Sequence, residues 1–124
     1  MTQENKELLL KDLCARLPYH IRVKVWLKDG TTEEGALDLE HNYGDVLRDA
    51  FYYNKIVKIK PYLFPMSSMA ETQKNEYQYI TERWMYDSSY SISDSIDWLN
   101  KNHFDYRGLI EKSLALDATG LNIY

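Results

Sequence analysis

The stretch "HIRVKVWLKDG" at 20–30 sets His20, Arg22, Lys24, Trp26 and Lys28 at every second position, and "NKIVKIK" repeats the spacing with Lys58 and Lys60. At a period of two, all of these project from one face of a strand. Cations interleaved with an aromatic ring can neutralise phosphates while the indole stacks a base. Arg22, Lys24, Trp26, Lys28, Lys58 and Lys60 are therefore candidate contacts for nucleic acid or another partner. A competing use of the same face is burial, with acidic helices from the second half, carrying Tyr77 and Trp84, docked on it.

Other chemistry-bearing residues favour structural roles. Arg107 in "DYRGLIEK" can clamp a carboxylate or phosphate bidentately, with Tyr106 beside it as a second possible partner contact. It can equally pair with Asp105 or Glu111. Asp94 and Asp97 lie one helical turn apart with Asp105 beyond, but acids at helix starts serve the helix dipole. His20, His41 and His103 show no zinc-ligand spacing with one another or with Cys14, so no metal or other cofactor is expected. No glycine-rich phosphate loop or nucleophile elbow is present, and the sequence does not read as an enzyme.

The charge is divided unevenly. Residues 1–69 carry ten Lys/Arg and ten Asp/Glu, whereas 70–124 carry five and nine, which accounts for the net charge of −4. That balance argues against binding nucleic acid through overall charge. Aromatics reach 14%, with eleven Tyr, a composition suited to partner contacts. Cys14 stands alone, so no intrachain disulfide forms and a reducing compartment fits. Without a signal-like start or a membrane-length apolar run, the chain reads as cytoplasmic, with no membrane contact.

These residues must be positioned by a short series of elements. Residues 4–17 form a helix whose apolar stripe is Leu10, Leu13, Cys14 and Leu17, stopped by Pro18. Ile21, Val23, Val25 and Leu27 alternate with charge as a strand, Asp29-Gly30 turns it, and a second strand runs to about Leu39 with a bend at Gly35. "DVLRDAFYY" and "NKIVKIK" supply two more strands, ended by Pro61. The junction "KPYLFPMSSM" lies pinned, with Tyr62 and Leu63 buried and Ser67 and Ser68 exposed. A helix over 69–86, capped by Ser68 and Glu71, presents Tyr77, Ile80 and Trp84. A third over 92–102, capped by Ser91 and Asp94, buries Ile92, Ile96 and Leu99. Asp105 caps a last helix that ends at 118–120, with Phe104 and Leu109 as its staple.

Residues 23–50, "VKVWLKDGTTEEGALDLEHNYGDVLRDA", resemble the first signature motif of Sm-like RNA-binding proteins. Val23, Val25, Leu27, Asp29, Gly30, Gly35, Leu37, Val46, Leu47 and Asp49 fall in step with it. The resemblance implies a small antiparallel β-barrel of four to five strands behind an N-terminal helix. The family's RNA-reading loop would fall on "EHNYG", with Glu40 and Gly44 at its Asp and Asn positions. Its second motif has no counterpart in "IVKIKPYL". As a whole, through "KDLCARLPY", "KPYL-PMSSM" and "IDWLNKNHFDYRGLIEK", the chain is similar to a group of short proteins from gut anaerobic bacteria and their mobile elements.

The expectation is an α+β protein: helix and barrel over 1–62, then a helical segment over 63–124 packed on it as one compact unit. It reads as a non-catalytic module for an unknown protein partner, with nucleic acid as the alternative. Pro61 and the covering helices disfavour ring assembly, which leaves a monomer or homodimer.

Overall fold

A computed structural model describes residues 2–37, 56–83, 85–87, 89 and 91–124. The loop 40–44 with His41, the strand expected over 45–53, and Trp84 lie outside the described residues.

Helix α1 (Gln3–Arg16) opens on Thr2, whose side-chain oxygen accepts from the Asn5 N–H at 3.1 Å. That satisfies one of the donors a helix start leaves orphaned. Pro18 then sets a 3₁₀ turn, Leu17–Tyr19, before His20 turns away at φ 54°. The buried side chains of α1 are Leu9, Asp12, Leu13 and Arg16, while Cys14 is exposed. The expected stripe is thus turned on the helix, because an ion pair that a hydropathy count assigns to solvent lies inside.

Strand β1 (Arg22–Leu27) pairs antiparallel with β2 (Thr32–Ala36) and with β3 (Ile56–Pro65). The connecting turn has Gly30 at φ 88°, and Asp29 accepts from both the N–H and the hydroxyl of Thr31. Gly35 does not bend its strand: it stands in register opposite Val23. The register of β1 against β3 shifts instead between Trp26 and Leu27, which leaves Val57 as the extra, bulged residue.

β3 continues through Pro61, contrary to the sequence reading. The Leu37 N–H donates to the Ile21 carbonyl and the Leu27 N–H to the Thr31 carbonyl. Odd-numbered residues of β1 therefore bond toward β2 and even-numbered ones toward β3. Val23 is odd, so at its partner Pro61 the absent N–H would face away from β1. No rung is lost there.

Beyond Pro61, β3 exchanges partners. Tyr62 and Leu63 run parallel to β5 (Leu116–Asp117), and Phe64 and Pro65 parallel to β4 (Phe104–Asp105). At the changeover the Tyr124 hydroxyl accepts from the Arg22 N–H at 2.9 Å and donates to the Tyr62 carbonyl at 2.8 Å. It replaces the next rung between β1 and β3. Among the described residues the product is a mixed, open five-stranded sheet, not the closed antiparallel barrel expected. Tyr62 and Leu63 are buried and Ser67 and Ser68 exposed, as the junction's composition indicates.

Helices α2 (Glu71–Arg83) and α3 (Ile92–Lys101) follow. Ser91 and Asp94 cap α3 as expected, the Ser91 N–H donating to the Asp94 carboxylate at 2.6 Å. Ser68 does not cap α2. Its hydroxyl donates back to the Pro65 carbonyl, and Gln73 accepts from the Ala70 N–H instead. Helix α3 buries Ser95, Trp98 and Leu99 and leaves Ile92 65% exposed. The bulk of Trp98, stacked on Phe104 with centroids 5.7 Å apart, sets that rotation.

The last expected helix is absent. Both oxygens of Asp105 accept backbone bonds, from Leu109 and Ile110 at 2.9 Å each, but what they cap is a run of turns leading to β5. Leu109 joins the main core of Leu9, Leu13, Ile21, Val23 and Leu63, whereas Phe104 joins a second cluster with Met69, Trp98 and Leu99.

Between them lies a buried charge cluster. Asp12 accepts from Arg16 Nε at 3.0 Å through one oxygen and from Arg107 Nη1 at 2.7 Å through the other. Arg16 Nη2 donates to the Phe104 carbonyl at 2.6 Å. The Tyr106 ring sits 5.4 Å from the Arg16 guanidinium and 4.6 Å from that of Arg107. Replacing Asp12 with Ala leaves two guanidiniums without a counter-charge, one of them wholly buried. A loss of about 3–5 kcal/mol in urea unfolding is the expected result. A loss below 1 kcal/mol would show that the cluster does not brace the fold.

His103 is buried against Tyr124, ring centroids 3.7 Å apart, and its Nδ1 has no hydrogen-bond partner among the described residues. Burial first, and the Arg16 charge second, press its pKa from 6.5 down to about 4. The unfolded chain gains this proton near pH 6.5 and the folded chain only near 4. Stability from this group is therefore complete above pH 6.5 and declines as pH falls to 4, by roughly 3 kcal/mol across the span. Urea midpoints at pH 7.5 and 4.5 should show the decline, and His103→Asn, which suits the left-handed backbone at φ 62° there, should flatten it.

Candidate interaction surface

β1 and β3 bring four of the six basic and aromatic candidates together. Directly opposed residues of an antiparallel ladder share a face, so the register forms two rows across the sheet. Glu34, Lys24 and Lys60 make one, and Thr32, Trp26 and Lys58 the other. The ammonium groups of Lys58, Lys24 and Lys60 lie 4.3, 5.4 and 6.0 Å from the centre of the half-buried Trp26 ring. Cations at these distances are drawn to the electron-rich ring face.

Electrostatics on this face are strained in one direction. Lys24 and Lys60 stand directly opposite, a destabilising arrangement for like charges. Burial, and then the charge of Lys58, lower the Lys60 pKa from its ordinary value. Glu34 supplies the counter-charge, and its carboxylate also accepts from the Tyr62 hydroxyl. Burial and then that bond push the Tyr62 pKa up to about 12, so the phenol stays a donor. The signal for Glu34 was present in the sequence: the turn at Asp29-Gly30 fixes a register that sets it beside Lys24.

The remaining candidates fall elsewhere. Arg22 is half-buried at the start of β1, its N–H taken by Tyr124. Lys28 is exposed in the turn beyond the strand. Tyr106 and Arg107 belong to the buried charge cluster, where Arg107 pairs with Asp12 and not with Asp105 or Glu111 as its nearest acids suggested. Tyr77 does not cover the basic face. Its ring packs 5.5 Å from Trp98 in the second cluster.

Asp94 and Asp105 are spent on backbone N–H groups, and Asp97 is exposed on α3. Desolvation raises the Cys14 thiol above its ordinary value, the opposite of what an activated nucleophile needs. Among the described residues no group of three or more His, Cys, Asp and Glu can hold a metal ion, and no helix is long and apolar enough to cross a membrane. No family model, curated protein or solved structure matches the chain.

If the lysines are held for contact and not for stability, removing one costs the fold little. Lys58→Ala should lower unfolding stability by less than about 1 kcal/mol, the range of an exposed cation–ring contact. Thermal or urea unfolding of the variant measures this. A loss above 2 kcal/mol would make the cluster a structural brace.

Proposed function

We propose that the chain is a non-catalytic interaction module and that the Lys24–Trp26–Lys58–Lys60 face is its contact surface for an acidic protein partner. The observation that carries this reading is the gathering of three ammonium groups around one half-exposed indole. A cationic rim around an aromatic centre combines what steers an anionic partner with what anchors it. Likeness to proteins of gut anaerobes and their mobile elements suggests an accessory role within such an element. The Sm-like resemblance fits the β1–turn–β2 portion of this surface. A cytoplasmic monomer or homodimer is the form in which we expect it to act.

A second reading, binding of single-stranded nucleic acid, is favoured by Trp26 itself, since an indole flanked by cations stacks any base. Three phosphate contacts would weaken binding about twenty-fold between 50 and 200 mM salt. Titrations with a labelled oligoglutamate peptide and with oligothymidylate at both salt concentrations separate the readings. Preferential binding of the peptide, lost in Trp26→Ala combined with Lys58→Ala, is the outcome we expect. Preference for the oligonucleotide, lost in Lys24→Glu with Lys58→Glu, would transfer the surface to the second reading. Binding of either ligand that survives both double variants would remove this face from the function.

A further inference from the structure

We infer that the groove beside the outer edge of β3 is a strand-addition site for an extended segment of a partner protein in which acidic and apolar residues alternate. This deepens the reading above and rests on its assignment of acidic protein partners to this chain.

The bonding parity of β1 fixes which edge is available. Even residues of β1 bond toward β3, so Lys24 opposite Lys60 and Trp26 opposite Lys58 exchange backbone bonds, whereas Ile59, opposite Val25, turns its N–H and C=O away. That outer edge is the one β5 uses farther along, where the Ala118 N–H donates to the Leu63 carbonyl. The ladder with β5 covers only Tyr62 and Leu63; before it the chain turns at Ser113, at φ 59°, and Ser113 and Leu114 form the far wall of a groove beside β3. Among the described residues, no strand pairs with this edge along 57–60. A groove of about 300 Å³ runs there, lined by Leu9, Val57, Ile59 and Leu114, with Lys58 and Lys60. Four residues of strand span roughly 13 Å, enough for a short added strand.

The lining specifies the occupant. An added strand presents alternate residues to the two faces of the sheet. On one face its neighbours are Lys58 and Lys60, which select Asp or Glu. On the other it meets Ile59 and the apolar wall from Leu9 and Leu114, which select Val, Ile or Leu. Charge argues against a second copy of this chain. A two-fold pairing is antiparallel, and centred on Ile59 it would set Lys58 opposite Lys60 of the other copy, like charge against like.

The test uses the full chain labelled with ¹⁵N and a synthetic heptapeptide of alternating Val and Asp. Controls are a peptide of equal composition with its Asp residues in one block, and the alternating peptide N-methylated at every second amide. We expect the alternating peptide to shift the Ile59 amide signal and to bind at least ten-fold more tightly than either control. Lys58→Glu with Lys60→Glu should reverse the preference toward an alternating Val–Lys peptide. Equal binding of the blocked or N-methylated peptide would overturn the strand-addition site. So would shifts confined to the Trp26 indole N–H, although the Trp26 surface would then stand. A peptide-free dimer with the Ile59 amide protected would give the edge to a second copy and also overturn the inference.

Discussion

The carboxylate of Asp12 is the point on which the fold depends. It is fully buried, and each of its oxygens serves a different guanidinium, one from its own helix and one from the turn after β4. Arg16 carries the connection onward to the Phe104 carbonyl, so α1 is tied directly to the backbone of β4. A buried charge is tolerated only when its partners are close and its remaining lone pairs are used. Here each oxygen of Asp12 has a guanidinium partner, while Arg16 Nη1 has no hydrogen-bond partner among the described residues. The cluster therefore fixes position more than it adds net stability. It sets α1 against the core on one side and aligns the second aromatic cluster on the other.

That placement leaves β3 as the common strand of two packing units. Its first half belongs to the antiparallel ladder with β1, and its second half receives β4 and β5 in parallel. The exchange occurs at Pro61 and is sealed by the Tyr124 hydroxyl. Because the later elements gather at the far end of β3, Tyr77 of α2 packs against Trp98 of α3, which in turn stacks on Phe104 of β4. The chemistry of the Trp26 face follows from this division of the strand.

Much of this was legible in the sequence, and the failures share a cause. Period-two alternation identified β1 and its basic face, Asp29-Gly30 fixed the hairpin, and Ser91 with Asp94 marked the start of α3. Local patterns suffice where neighbours along the chain decide the outcome. They misled where distant partners decide. Asp12 and Arg16 turned α1 by burying charge, Trp98 turned α3 by stacking on Phe104, and Asp105 capped turns with the same bonds that open a helix. Pro61 looks like a stop in sequence because its effect depends on which edge its nitrogen faces, and only the register against β1 reveals that.

The span of these ties bears on how the chain folds. Arg107 lies 95 positions from Asp12, the Phe104 carbonyl 88 from Arg16, and Tyr124 102 from Arg22. Contacts of such separation require long loops to close before they return any stabilisation, which slows folding relative to locally connected proteins. The β1–β2 hairpin can form early, since its turn is encoded within a few residues. Arg16 and Asp12 can also pair early, within one helix. Until residues 104–107 arrive, however, the guanidinium lacks its carbonyl and the carboxylate its second cation. The two halves of the molecule are thus coupled in time as well as in space.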